Sequence, residues 1–315
     1  MKNNHEEKVL NNVTPVKPFL KWAGGKGQLI KEIEKYYPFS NKNITKYAEP
    51  FIGGGAVLFD ILNKFDLKKI YISDTNAELV NCYKIIKNNV DELIISLEIF
   101  ESEFLPKNIT ERKEYFYNKR DKFNYLKSLN SQESVEKAAL MVFLNRTCFN
   151  GLYRVNKKGE FNVPIGNYKN PLICDKINLI SISKKLKNVN IVYGDYKSSE
   201  KFIDNNTFVY FDPPYRPLNE TSSFISYTEN LFTDKEQIEL SQYALKLTKK
   251  GAKVLLSNSD PKNINEYDDF FDKIYKDFFI KRVGAVRMIN SNSSKRGQIN
   301  ELLISNFNAH KKMEV

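Results

Sequence analysis

Apolar residues recur along this chain of 315 residues in two rhythms, and the change of rhythm divides it. Short unbroken apolar runs that stop at an acid, a glycine or a proline read as strands buried on both faces of a sheet. They fall at 44–48, 69–73, 190–194, 207–211, 252–257, 275–281 and 299–306. Helical spacing predicts helices over 28–36, 56–63, 234–249 and from 262 to 271. From 77 to 145 the strand signal lapses, and 77–88, 90–103, 111–129 and 133–145 all carry the spacing of amphipathic helices. Strands alternating with helices predict an α/β sheet. Residues 77–186 then read as a mainly helical insertion, and 1–76 with 187–315 as one discontinuous sheet domain. Alternation at 153–156 and 161–163 about Lys157-Lys158-Gly159 predicts a β-hairpin over 152–165 inside the insertion.

The strand ends carry the candidate chemistry. The run 207–211 stops at Asp212-Pro213-Pro214-Tyr215. Prolines cannot continue a ladder, so Asp212 sits at the carboxyl edge of the sheet, where open α/β sheets bind ligands. The residue before each proline is held in extended conformation, which stiffens the loop. The Asp212 carboxylate and the Pro213 carbonyl can both accept hydrogen bonds from an exocyclic amine on a flat substrate, and Tyr215 can stack on it. The first strand runs into Glu49-Pro50-Phe51-Ile52-Gly53-Gly54-Gly55 and then a helix, a geometry that lays a cofactor across the strand end. It is not the GxGxxG of dinucleotide sites, so NAD is disfavoured. Asp74, ending the second strand, suits the ribose hydroxyls of an adenosine cofactor; the other reading is that Asp74 or Asn76 caps the following helix. Near the start, Pro18-Phe19-Leu20-Lys21-Trp22-Ala23-Gly24-Gly25-Lys26 contains the one tryptophan. It lacks the GxxxxGK[ST] of a phosphate loop, which leaves a flat surface at Trp22 and a cation for a carboxylate at Lys26, or simply a loop leading into a helix.

Composition narrows the partner. Lys and Arg number 49 against 38 acids, a net charge of +11, while 41% hydrophobic residues exclude a disordered chain. An anionic partner follows, nucleic acid first. Between 146 and 169 five basic residues face one acid, interleaved with Phe149, Tyr153, Phe161 and Tyr168. Basic side chains position a protein on phosphates, an Arg fork reads guanine, and apolar groups touch thymine methyls or wedge between bases. DNA contact is expected there. Residues 282–296 carry four basic residues and no acid and are expected to form a mobile phosphate clamp. The three cysteines, Cys82, Cys148 and Cys174, match no metal or disulfide spacing, so reduced thiols and no metal site are expected. No apolar stretch reaches about 18 residues and the N-terminus is polar, so a cytoplasmic protein without membrane contact is expected.

Taken together, Phe19-Leu20-Lys21-Trp22-Ala23-Gly24-Gly25-Lys26, Glu49 to Gly55, Phe149-Asn150-Gly151-Leu152-Tyr153-Arg154, Gly159-Glu160-Phe161-Asn162-Val163-Pro164 and Asp212-Pro213-Pro214-Tyr215 resemble the DNA adenine N6-methyltransferases of the Dam type, over roughly 18–307. The resemblance implies a Rossmann-like methyltransferase sheet with an inserted, mainly helical DNA-recognition domain. It implies S-adenosylmethionine as methyl donor, held by Trp22, Lys26, Phe51, Gly53, Gly55, Asp74, Asp195 and Asp212. Catalysis would fall to Asp212, Pro213, Pro214 and Tyr215 acting on an adenine flipped from duplex DNA. Recognition of GATC would fall to Lys21, Asn150, Leu152, Arg154, Pro164 and Tyr168, with Phe149 entering the base stack. Asn167 stands where many relatives carry Arg, so one DNA contact of the family is expected to be missing. A cognate restriction endonuclease is a further expected partner. The same sheet also serves cytosine N4 and protein glutamine methylation, or binding without catalysis; the hairpin between cofactor loop and tetrapeptide favours adenine in DNA.

Overall fold

The computed structural model describes residues 14–22, 24–129, 133–216, 232–286 and 298–308. Seven apolar runs pair into one sheet: β1 (Lys46–Glu49), β2 (Lys69–Asp74), β3 (Val189–Tyr193), β4 (Thr207–Phe211), β5 (Lys253–Ser259), β6 (Phe279–Val286) and β7 (Gln298–Ser305). Their order is β3-β2-β1-β4-β5-β7-β6, with β7 antiparallel to both its neighbours and the other pairs parallel. From β1 the chain moves outward to β2, and it later returns to lay β4 on the opposite side of β1. The strand order therefore reverses between β1 and β4, which pair with Ala48 opposite Val209. Such a reversal opens a crevice at the carboxyl ends of the two strands, and here those ends carry Glu49 and Asp212.

Strand residues alternate between two cores. Tyr47, Phe208, Tyr210 and Leu255 belong to one, and Ala48, Val209, Phe211, Val254 and Leu256 to the other. The helices are α1 (Ile30–Glu34), α2 (Ala56–Lys64), α3 (Ala77–Asn88), α4 (Val90–Phe104), α5 (Ile109–Ser128), α6 (Val135–Thr147), α7 (Lys176–Leu186), α8 (Asp234–Lys249) and α9 (Phe270–Ile274). Leu240, Ala244 and Leu247 of α8 cover the second core. The first continues from the sheet through α3 and α6 to Phe100, Phe143, Tyr153, Phe161 and Val163, so the inner side of the predicted hairpin shares a core with the sheet. α6 is buried on nearly all sides, as its Ala138-to-Leu144 apolar run requires. Polar caps fix the starts: Asn76 Oδ1 accepts from the Leu79 amide at 2.9 Å, and Asn108 with Glu111 and Thr233 with Glu236 form reciprocal capping boxes.

Several expectations shift. The helix expected at 28–36 is a 3-10 turn, Lys26–Gln28, followed by the single-turn α1. α7 has no counterpart in the pattern reading, because Ile177, Leu179, Ile180 and Ile182 mix strand-like alternation with helical spacing. The helix expected from 262 to 271 reduces to a 3-10 turn at Pro261–Asn263 and the late α9. Asn265 and Asp268 bond the amides of Tyr267 and Phe270, which favours turns over helix. β6 begins at Phe279 rather than 275, since Tyr275 is buried where α9 closes. The hairpin forms no regular strands. It is a ribbon of two isolated bridges, Val155 with Phe161 and Cys148 with Ile165, around a turn at Gly159 with φ 75°.

Most of the expected phosphate clamp, 287–297, lies outside the described residues; Arg282, at its start, bonds Asp260 and Asp272. Among the described residues no helix is long and apolar enough to cross a membrane, and no group of three or more His, Cys, Asp or Glu gathers to hold a metal. Cys82 and Cys148 are buried thiols, with burial pushing Cys148 up to about 12.

Candidate active site

Asp212 emerges where β4 ends, and two side chains bond its carboxylate. Lys26 Nζ lies 2.7 Å from Asp212 Oδ1 and also donates to the Gly24 carbonyl at 2.6 Å. Ser257 Oγ, from β5, donates to the same carboxylate oxygen at 3.0 Å, and Tyr210 OH lies 2.8 Å from that Ser257 hydroxyl. Lys26 is 5% exposed and Asp212 21%, so the cation is enclosed while the carboxylate keeps an open side. Burial pushes the Asp212 carboxyl above its ordinary range, and the Lys26 charge opposes that shift. Lys26, expected to offer a cation to a carboxylate, thus finds one inside the chain.

Tyr215 completes the corner. The Lys26 ammonium sits 4.5 Å from its ring centroid, and its hydroxyl donates to Glu301 Oε2 at 2.6 Å. Burial, then the charges of Asp212 and Glu301, hold that hydroxyl protonated. Across the strand reversal Glu49 is 2% exposed and accepts from Tyr47 OH at 2.7 Å. Burial pushes Glu49 well above the usual carboxylate range, with the nearby Asp212 adding to it.

The glycine loop after β1 is shaped by close approach. Gly55 has φ 73°, and a Cβ there would stand 2.4 Å from the Tyr83 hydroxyl, which donates to the Gly53 carbonyl at 3.1 Å. Trp22 packs over Gly53 and Gly54 and stacks on Tyr153 with centroids 5.4 Å apart. Asp74 accepts from the Gly53 amide at 3.1 Å and from the Asn76 amide at 2.9 Å, while Asn76, not Asp74, caps α3. Burial pushes the Asp74 carboxyl up, and those amides hold it back. Phe51 stacks on Tyr196 at 5.5 Å. Asp195 is exposed and caps the 3-10 turn Tyr196–Lys201 through the Ser198 amide.

The recognition candidates group at the other end of the Pro18-to-Lys26 segment. Lys21 lies 4.6 Å from the Tyr168 ring centroid and packs against Gly151, where φ is 63° and a Cβ would meet the lysine stem at 2.4 Å. Phe149 and Asn150 form an exposed 3-10 turn, with Phe149 52% exposed and Asn150 at φ 55°. The Phe149 amide donates to the carbonyl of Pro164, itself exposed. Leu152 is half-buried, and Arg154 lies further along the ribbon, exposed, with Nε donating to Asn162 Oδ1 at 2.8 Å.

Residues that pattern reading missed hold this face together. Asn145, buried in α6, accepts from the Lys21 amide at 2.8 Å and donates to the carbonyls of Lys21 at 2.8 Å and Gly151 at 2.9 Å. Asn124 makes both backbone bonds of Phe161, and Arg112 donates to the carbonyls of Tyr168 and Lys169. Their only sequence signal is a polar residue inside a helix, which α5 supplies in excess.

Comparison with known proteins gives this geometry a context. A family model described as D12 class N6 adenine-specific DNA methyltransferase matches residues 22–289. The type II methyltransferase M.MjaIII of Methanocaldococcus jannaschii is 54% identical over 295 residues, covering 93% of this chain and 99% of that protein. The DNA adenine methylases of Haemophilus influenzae and Escherichia coli are 36% and 34% identical, covering 94% and 90% of this chain and 95% and 93% of theirs. The doubly wound sheet with a carboxylate and two prolines at its reversal, and the match across most of the length, lead to one conclusion: the chain belongs to the D12 class N6 adenine-specific DNA methyltransferases and is a DNA adenine methyltransferase.

Proposed function

We propose that the protein transfers the methyl group of S-adenosylmethionine to N6 of an adenine turned out of duplex DNA, and that it selects GATC. The carrying observation is the Asp212 carboxylate, fixed by Lys26 and Ser257 at the strand reversal beside Tyr215, with one side open. Adenine N6 is a poor nucleophile because its lone pair is delocalised into the ring. Asp212 and the Pro213 carbonyl accept hydrogen bonds from its two N–H groups and draw the nitrogen toward tetrahedral geometry, and Asp212 stands where the one N6 proton lost on methylation leaves. Tyr215 stacks on the extruded base and offsets the few kcal/mol that unpairing costs. Burial raises the Asp212 pKa, and Lys26 and Ser257 oppose that shift in favour of the ionised carboxylate.

The residues fit the methyl donor: a glycine turn at the reversal whose close approach to Trp22 and Tyr83 leaves no room for a Cβ, with Asp74 at the neighbouring strand end. Trp22, Phe51, Gly53, Gly55, Asp74 and Asp195 would hold it, with Lys26 and Asp212 at the methyl end. When bound, S-adenosylmethionine supplies an electrophilic methyl group on a sulfonium.

Residues 77–186 form the DNA-recognition unit in this reading. Arg154 reads guanine, Leu152 and Pro164 make apolar base contacts, Lys21, Asn150 and Tyr168 complete the site, and Phe149 enters the stack; the exposure of Arg154, Phe149 and Pro164 supports it. The type II name of M.MjaIII favours a cognate restriction endonuclease as partner, and a DNA substrate argues for a cytoplasmic protein. The test is incubation with S-adenosylmethionine and genomic DNA lacking N6-methyladenine, followed by sequencing that detects the modified base. N6-methyladenine confined to GATC is expected. Modification of another sequence removes the site assignment, and N4-methylcytosine removes the reaction.

A further inference from the structure

The buried face of α8 carries a polar residue where the helix period calls for an apolar one. Gln237 shares that face with Leu240, Ser241, Ala244 and Leu247 and is 0% exposed. Its Nε2 donates to the carbonyl of Pro214 at 3.1 Å, and its Oε1 accepts from Asn258 Nδ2 at 3.2 Å. Asn258, at the end of β5 and also 0% exposed, uses Oδ1 to accept from the amides of Ser259 at 2.9 Å and Arg216 at 3.3 Å.

The direction of this relay is dictated by the backbone. Two amide N–H groups face one end of Asn258, so that end must be the oxygen. Its NH2 then faces Gln237, which must answer with oxygen and turn its own NH2 to Pro214. Arg216 fastens the same segment from outside, bidentate to Asp234 at 2.7 and 2.9 Å and bonded to Asp268 at 2.7 Å. Asp234 is the first residue of α8, so the helix that carries Gln237 and the residue that follows Tyr215 are tied together.

We infer that Gln237, oriented by Asn258, is a positioning residue that holds the Pro214 carbonyl inward and thereby leaves the Pro213 carbonyl as the backbone acceptor for the target amine. Both prolines have φ fixed by their rings, and Asp212 and Pro213, each preceding a proline, are confined to extended conformation. What remains free is ψ of Pro214 and small tilts of the peptide planes before it, and anchoring the Pro214 carbonyl removes that ψ and limits the tilt of the adjoining Pro213 carbonyl. The Pro213 carbonyl receives no side-chain hydrogen bond among the described residues. The inference rests on the catalytic role proposed above for Asp212-Pro213-Pro214-Tyr215.

The test is single-turnover methyl transfer at saturating cofactor and DNA by Gln237→Met, which keeps the volume and removes the donor, with both dissociation constants measured alongside. The rate should fall roughly 30- to 100-fold, as for a misplaced reacting group, with both constants within about threefold of wild type. Gln237→Glu supplies the control, and decides the matter alone if the Met variant does not fold. A neutral carboxyl can donate to Pro214 while accepting from Asn258; an ionised one cannot donate. The Glu variant should therefore recover relative to wild type as pH falls. A wild-type rate for the Met variant, a loss explained by weaker binding, or a Glu variant whose rate is reduced and does not recover at low pH overturns the inference. Activity retained by Asp212→Ala would instead overturn the catalytic reading beneath it, so the two failures are distinguishable.

Discussion

The carboxyl edge of the sheet and the hairpin ribbon are built by opposite rules. At the edge, polar side chains turn inward and pair with one another: Tyr210 with Ser257, Ser257 and Lys26 with Asp212, Tyr215 with Glu301, Asn258 with Gln237. The ribbon turns Tyr153, Phe161 and Val163 inward, and leaves Arg154, Lys157 and Lys158 to solvent. Fixed dipoles around a developing charge lower a barrier because they need no reorganisation. Exposed cations on an anchored backbone can instead be exchanged one at a time without moving their neighbours. Substitutions at the edge should therefore change the rate on every DNA, and substitutions on the ribbon should change which DNA is used. The Pro18-to-Lys26 segment joins the two regions, with Lys21 against Tyr168 and Lys26 against Asp212.

The largest effect should come from removing the carboxylate. Asp212→Ala should lower single-turnover methyl transfer at least about 1000-fold, about 4 kcal/mol, while DNA affinity measured by fluorescence anisotropy stays near wild type. Retention of more than about a tenth of the rate would break the contrast at its centre.

Removing the enclosed cation should cost less and change the pH profile. Burial raises the Asp212 pKa and Lys26 opposes it. The competent form is the ionised one, so activity is lost as pH falls through that pKa. Without Lys26 the pKa rises further, and the acid limb of kcat for Lys26→Ala should move to higher pH. At neutral pH the rate should fall about 100-fold. An acid limb unmoved in the variant would detach Lys26 from Asp212.

The smallest effect belongs to the turn of the ribbon. Lys157→Ala should weaken binding to all sequences alike and flatten the dependence of log Kd on log salt by about one unit, leaving kcat unchanged. A loss restricted to one sequence would make Lys157 a reader of bases.

How far the sequence reveals these regions follows from the range of the interactions. β4 matches its apolar run at 207–211, because an unbroken run ended by Pro213 is a local signal. The glycine turn at Gly53 to Gly55 and the ribbon turn at Gly159 are equally local. Gln237 was visible only as a polar residue on an apolar stripe, since its partner Asn258 lies on another element. Asn145 joins Lys21 to Gly151 across more than a hundred residues, and nothing near it in the chain indicates that role. The ribbon was legible as alternation but not as isolated bridges, because only a few backbone bonds cross it and Asn124 on α5 takes both backbone groups of Phe161.

The division between chemistry and selection is tested most directly by Arg154→Ala, assayed for kcat/KM on GATC and on sites altered by one outer base pair. A bidentate arginine on guanine contributes about 1 to 3 kcal/mol of discrimination. The account predicts that the variant loses activity on GATC far more than on the altered sites, so that their ratio collapses toward one. An equal loss on every site would contradict it, making the ribbon an anchor and leaving the choice of sequence to some other part of the molecule.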